Sequence, residues 1–295
     1  MNADKFLEGL SSTHARFYFA AVHDLYVAKV RGNRPAAADA RKELARVMVE
    51  TLGAAEVLGA MMTLQSAAKG AKFAAEQTIL PRVTLTEALD DLVARAPVTL
   101  RNAAERTAQK IAKLYTEDRV MAFVRSAEET VTREAQSFVS RAFRDGLSET
   151  EAGRQISMAV EQVRELTEPW SEGYARMVFR TNVNTAVTAG RFRQSQDPEV
   201  REVVPAFVFD SVNDSDTRHN HGVLDGVIMA VDDTRWNKLS PPLGYNCRCQ
   251  VRHVSVVELE AMGRLRKDGS VVASHIPANG GPDPGFRHGG RPDLS

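Results

Sequence analysis

Val203-Val204-Pro205-Ala206-Phe207-Val208-Phe209 marks the point where the chain changes character. β-branched and aromatic residues dominate it, and two similar short runs follow, Val227-Ile228-Met229-Ala230-Val231 and Gln250-Val251-Arg252-His253-Val254. Such side chains suit the pleated, half-buried surface of a sheet, and turn residues separate the three runs. They predict a small sheet-containing module near residues 200 to 257.

Upstream the period is different. From about residue 5 to 195 apolar residues recur at steps of three and four, the stripe of an amphipathic helix. Leu44, Val47, Met48, Leu52, Ala55, Leu58 and Met62 form one stripe, and Val120, Val124, Ala127, Val131, Ala135, Phe138 and Ala142 form a second. Both read as the packing faces of a helical bundle. The Leu80-Pro81 and Ala96-Pro97 steps should be helix boundaries, because a proline pushes the residue before it out of the helical region. Asp145-Gly146 ends the second stripe, and Ser148 with Glu151 reads as a capping box for a helix to about Leu166. Beyond Pro169 and Trp170, a helix from Tyr174 to Gln194 carries Arg180, Thr181, Asn184 and Ala186 on its face and stops at the turn Asp197-Pro198.

Downstream of the strands, Val256 to Arg264 could form one short helix. The stretch Pro277-Ala278-Asn279-Gly280-Gly281-Pro282-Asp283-Pro284-Gly285 carries too little apolar surface to order itself. It reads as an extended arm, which needs a surface to lie on. The expected class is therefore α+β. A long, mainly helical N-terminal region (1–145) is followed by a small mixed α/β module with a short sheet (146–257) and an extended, Gly/Pro-rich C-terminal tail (258–295).

Composition narrows the function. Lys plus Arg number 38 and Asp plus Glu number 38, so no global field draws the chain to nucleic acid or an anionic membrane. The opening Met1 to Thr13 lacks the basic and apolar regions of a secretion signal, and no run is read as approaching the about 20 apolar residues of a membrane helix. The expectation is a soluble chain without a membrane partner. Only two cysteines occur, Cys247 and Cys249, unlike the dispersed framework of a disulfide-stapled domain. That usage fits synthesis in a reducing cytoplasm.

Between Asp210 and Cys249, polar and turn residues crowd a stretch with few apolar runs, so something besides a hydrophobic core should hold it. Cys247 and Cys249 offer thiolates, and His219 and His221 offer imidazoles, a donor set that suits tetrahedral zinc. One residue between the cysteines is fewer than the two to four usual in structural zinc turns. The alternative is that both thiols stay reduced and packed while the histidines make ordinary hydrogen bonds. Gly226 and Gly244 read as positive-φ turn positions, Arg218 and Arg248 as anchors for loop carbonyls or carboxylates, and Asp225 as closing an Asx turn.

Thr217-Arg218, His221, Leu224-Asp225-Gly226, Trp236 and Pro241-Pro242-Leu243-Gly244-Tyr245-Asn246-Cys247-Arg248-Cys249 resemble the signature of the phage Mu F-like minor head proteins, the head morphogenesis family. Upstream, Arg180-Thr181-Asn182-Val183-Asn184-Thr185-Ala186 is similar to the family's Arg-Thr helix. Downstream, Pro282-Asp283-Pro284-Gly285-Phe286-Arg287-His288-Gly289 is similar to its closing motif, so the resemblance covers roughly residues 145 to 292. In some family members this region implies a four-ligand zinc knuckle. Here the resemblance leaves His221, Cys247 and Cys249 as metal ligands and a structural zinc as the cofactor, with His219 or Asp225 as the further donor.

The resemblance implies a non-enzymatic, low-copy head protein. It would associate with the phage portal protein, and with capsid or scaffold proteins, during procapsid assembly in the host cytoplasm. It would stay in the virion near the portal and influence DNA packaging or ejection. Two other readings come from the residues. Asp210, Asp214, Asp216, His219 and His221 lie close together in sequence and could serve a metal-dependent nuclease or hydrolase. Arg176, Arg180, Arg191 and Arg193 could cluster to give weak DNA contact as an accessory property.

Overall fold

The structure is a computed structural model that describes residues 17–18, 20–29, 31–67, 84–117 and 172–286. The second apolar stripe, the Leu80-Pro81 step, the Ser148 capping box and its helix, Pro169 with Trp170, and the tail past Phe286 lie outside these residues.

Helix α1 (Arg34–Ala67) opens at Asn33, whose Oδ1 accepts the free N–H of Ala36 at 3.1 Å. The first stripe is as the sequence implies. Leu44, Val47, Met48, Ala55 and Leu58 are buried, with Leu52 and Met62 packed at the margin. Residues Arg34–Leu64 are also long and apolar enough to cross a membrane, which corrects the reading that no segment approaches that composition. Most of this stretch is buried inside the bundle, so its apolar surface is already covered by the protein.

Helix α2 (Leu85–Arg95) begins in a capping box between Thr84 and Glu87 and stops at Ala96, before Pro97, as the proline predicts. A single 3-10 turn (Val98–Leu100) leads into α3 (Arg101–Glu117). Helix α4 (Glu172–Ser195) corresponds to the expected Tyr174–Gln194 helix, and Asp197 caps the short α5 (Pro198–Arg201). Asp197 also accepts two bonds from Arg106 of α3, at 2.8 and 3.1 Å, joining the bundle to the start of the module.

α1 and α4 touch backbone to backbone. A Cβ on Gly59 would overlap the Val187 carbonyl oxygen, and one on Gly190 would overlap the Glu56 carbonyl oxygen. The two glycines thus make a reciprocal close approach that no larger residue permits. Beside it, buried Glu56 of α1 receives Arg193 Nε of α4 at 2.7 Å and the Tyr115 hydroxyl of α3 at 2.8 Å. One carboxylate thereby ties three helices.

The sheet has order β2-β1-β3 and is antiparallel throughout, with β1 (Ala206–Asp210) central between β2 (Ile228–Ala230) and β3 (Gln250–Val254). β2 and β3 fall within the runs read from sequence, and β1 extends one residue past its run, to Asp210. Phe207 pairs with Met229 on one side and His253 on the other. Side-chain alternation gives the sheet two covered faces. Phe207, Phe209, Met229 and Val251 pack with Phe192 of α4 and with Trp236, which begins α7 (Trp236–Leu239). Phe192 lies 4.6 Å from Phe207 and 5.9 Å from Trp236, ring centre to ring centre, with inclined planes. Ala206, Val208, Ile228 and Val254 face Leu259 of α8 (Val256–Ala261), which starts in a second capping box, Ser255 with Glu258.

The segment after α8 lies across the module. Ser274 N–H donates to Ile228 O and accepts from Ile228 N through its hydroxyl, extending the β2 edge. Further on, Gly281 N–H donates to Asn220 O and Asp283 N–H to Leu243 O. The arm finds its surface on its own module, and backbone hydrogen bonds hold it where apolar burial is small.

Candidate metal centre

Cys247 and Cys249 lie between the turn at 244–246 and the start of β3. Both thiols are buried, and Arg248 between them is half-buried. Arg248 reaches out to grip both Asp214 oxygens at 2.7 and 2.8 Å, as its reading as an anchor requires. The turn before the cysteines is clamped by α4. Arg180 donates to Asn246 Oδ1 at 2.9 Å, Thr181 Oγ1 accepts from Asn246 N at 3.1 Å, and Asn184 donates to the Cys247 carbonyl at 2.7 Å. Arg180 and Thr181 precede Asn184 by four and three residues, which sets all three on one helix face.

His221 lies in the single turn α6 (His219–Gly222) and is 1% exposed. Its Nδ1 is 3.6 Å from Cys247 Sγ, and the donor atoms of His221, Cys247 and Cys249 all lie within 4.8 Å of one another. Zinc bonds of about 2.3 Å to sulfur and 2.0 to 2.1 Å to nitrogen at tetrahedral angles require an S to N edge of about 3.6 Å. The His221–Cys247 edge has that length, which is also the length of a hydrogen bond between the two groups. Among the described residues this is the single group of three or more His, Cys, Asp or Glu side chains whose donor atoms converge. Ser211 Oγ, buried and 3.7 Å from Cys249 Sγ, offers an oxygen beside it.

Electrostatics favour one thiolate. Donation from the Cys249 thiol holds Cys247 down at about 4, helped by His221 and a backbone bond at Leu243. The same bond, with burial, pushes the Cys249 thiol up. A thiolate is the form that binds metal.

The two further donors named from sequence lie elsewhere. His219 Nε2 is 3.0 Å from Asn279 Nδ2 at the surface. Asp225 accepts from Ser211 N at 2.8 Å and Asn213 Nδ2 at 2.9 Å, bracing the facing loop instead of closing a turn of its own. What the sequence reading missed is Asp283, delivered by the arm. Its Oδ1 is 3.1 Å from His221 Nε2, though not aligned for a hydrogen bond, and its Oδ2 is 3.2 Å from Arg218 Nε. Arg218 also donates to the Tyr245 carbonyl at 2.8 Å, as an anchor should. Gly244 faces this carboxylate closely, since a Cβ there would overlap Asp283 Oδ2. Its glycine thus answers a close approach, while between Asp210 and Cys249 positive φ angles fall at Asn213 (55°), Gly226 (75°) and Asn246 (59°).

The nuclease constellation does not assemble around one point. Asp214 is engaged by Arg248, which holds its carboxyl down at about 2, and His221 turns inward to the thiols. The arginines read as a DNA patch are largely structural. Buried Arg191 donates to the Val251 carbonyl and Gln250, and Arg193 pairs with Glu56.

Residues 138–252 match the family described as Phage Mu protein F like protein. The chain is 31% identical over 111 residues to the "Putative capsid assembly protein F" of Escherichia phage Mu, covering 38% of this chain and 25% of that protein. It is 35% identical over 88 residues to the "Mu-like prophage FluMu F protein" of Haemophilus influenzae, covering 30% and 21%. The chain thus spans about a quarter or less of the length of these curated relatives. No solved structure matches it. α4, strands β1 and β2, and the residues His221, Cys247 and Cys249 all fall inside the matched residues. The likeness of the chain to the Mu F-like family is carried by these residues; Asp283 lies beyond the match.

Proposed function

We propose that this protein is a minor head protein of a tailed bacteriophage. In this reading it binds the portal and takes part in procapsid assembly in the host cytoplasm. It then remains in the head near the portal, with influence on DNA packaging or ejection. The observation that carries the reading is the match of residues 138–252 to the Mu F-like family, with a relative whose name describes capsid assembly. The polar motif residues support binding over catalysis, because they are spent on internal bracing: Arg180, Thr181, Asn184 and Arg218 all hold the Tyr245–Cys247 turn. In this reading the helical region (1–145) docks, the module (146–257) scaffolds, and the tail (258–295) completes the module.

The same reading includes a structural zinc on His221, Cys247 and Cys249. Such an ion supplies a cross-link between the α6 turn and the start of β3, in a stretch short of apolar residues.

Co-expression with the portal protein of the same genome, followed by size-exclusion chromatography and mass measurement, tests the head reading. A stable complex is expected. Separate elution at both low and moderate salt would refute portal binding. The full chain is needed, because α1 shares a backbone contact with α4, so deleting the N-terminal helices would strip the module's own support.

A further inference from the structure

We propose that Asp283 couples the C-terminal arm to the Cys-His centre, so that metal loading and arm docking form one linked equilibrium. The inference rests on the zinc reading of His221, Cys247 and Cys249. Its starting point is that His221 uses its two nitrogens in opposite directions. Nδ1 faces the Cys247 thiol at 3.6 Å, while Nε2 faces the Asp283 carboxylate at 3.1 Å. Nε2 is buried and has no aligned hydrogen bond among the described residues, so the arm's carboxylate is the group placed to accept a hydrogen bond from Nε2–H.

A histidine that ligates through Nδ1 carries its proton on Nε2. A carboxylate on that side fixes the tautomer and ring orientation and makes the ligand nitrogen more basic, and loss of such a partner typically costs metal affinity about 10- to 100-fold. Asp283 is a positioning residue in this scheme, not a ligand.

Its own placement depends on the arm. Asp283 N–H donates to Leu243 O, Gly281 N–H donates to Asn220 O, and Asn220 Nδ2 returns a bond to the Gly281 carbonyl at 2.8 Å. The carboxylate is further set by Arg218 Nε and by Asn220 Nδ2 at 3.3 Å. Gly244 leaves the space for it, two residues before Asn246 and three before Cys247. Undocking the arm would strip His221 of the group at Nε2. Thermodynamic linkage then requires the converse: whatever factor Asp283 adds to metal affinity, metal adds to arm docking.

The test uses the full chain, with Zn2+ affinity measured by chelator competition and arm docking measured by amide hydrogen exchange at Gly281 and Asp283. Wild type is expected to bind one Zn2+. Asp283→Asn should bind about 10- to 100-fold more weakly. Zn2+ should slow exchange of the two amides in wild type by a similar factor and leave them unchanged in the variant. Gly244→Ala, which crowds the carboxylate without touching a ligand, should weaken Zn2+ binding in the same direction. Equal affinity in wild type and Asp283→Asn, with arm exchange indifferent to Zn2+, would overturn the coupling while leaving the metal site standing. Absence of Zn2+ binding by folded wild type would overturn the metal reading itself, and the coupling with it.

Discussion

Replacing Arg193 by methionine should cost the protein about 3–5 kcal/mol. The size follows from where its partner sits. Glu56 has a fully buried side chain, Arg193 has 9% of its side chain exposed, and they meet at 2.7 Å in the contact between α1 and α4. Methionine keeps much of the arginine's apolar stem but deprives the carboxylate of its guanidinium. Breaking a buried pair from one side carries the stated penalty, because the remaining charge stays desolvated. The Tyr115 hydroxyl at 2.8 Å offsets only part of this, since a neutral donor contributes about 1 kcal/mol. The double variant Glu56→Leu with Arg193→Met removes both charges and should recover most of the loss, less about 1–3 kcal/mol for the stranded tyrosine hydroxyl. Urea denaturation followed by far-ultraviolet circular dichroism gives all three values in one cycle. A typical domain has only about 5–15 kcal/mol in total, so the single variant should be visibly shifted. If Arg193→Met lost less than about 1 kcal/mol, as an exposed pair does, the pair would be solvated and Arg193 would again be available to meet phosphate.

Three further outcomes follow from the same structure. Gly190→Ala should destabilise the protein by at least the about 1–3 kcal/mol of ordinary overpacking, because the obstacle is the Glu56 carbonyl and a backbone cannot rotate away; thermal unfolding against wild type measures it. Asn184→Ala leaves the buried Cys247 carbonyl without its amide donor and should cost about 1–3 kcal/mol, checked by denaturant midpoints at fixed pH. His253 is held neutral well below its usual range by burial, with Arg191 and Arg252 adding repulsion. The unfolded chain therefore takes up a proton that the folded chain refuses. The stability contributed is complete above the unfolded value of about 6.5 and falls below it by up to about 1.4 kcal/mol per pH unit. His253→Gln should remove that slope between pH 6.5 and 5, and an identical slope in both proteins would disprove the assignment.

The parts of this fold that the sequence discloses are those written in local periodicity. The α1 stripe, the stop at Ala96-Pro97, α4 and the three strands each announce themselves within a dozen residues or so, because burial of one face repeats at the period of the element. The parts it hides depend on residues far apart meeting. Arg193 reads as a surface charge until Glu56, 137 positions away, is found beneath it. Gly59 and Gly190 carry no signal in the sequence, and their role emerges only where each is seen under the other helix's backbone. The spacing of the two cysteines does not show that both thiols are buried beside His221, 26 positions upstream of Cys247.

Asp283 is the most instructive omission. It sits in a Gly/Pro-rich stretch that lacks the apolar surface to fold alone, yet backbone bonds at Gly281 and Asp283 carry it onto the module, where its carboxylate meets both Arg218 and His221. Composition correctly said that the arm needs a surface but could not say whose. Because the arm spends its hydrogen bonds on this chain, the proposed head role would place a docking face away from the Cys-Arg-Cys turn, on the exposed faces of α2 and α3. Under the proposed head role, charge reversal at Lys110, exposed on α3, should weaken portal association while leaving thermal stability near wild type. A variant that bound the portal normally would move the docking face off Lys110, whereas a variant that unfolded would show that lysine to be part of the bundle's own support.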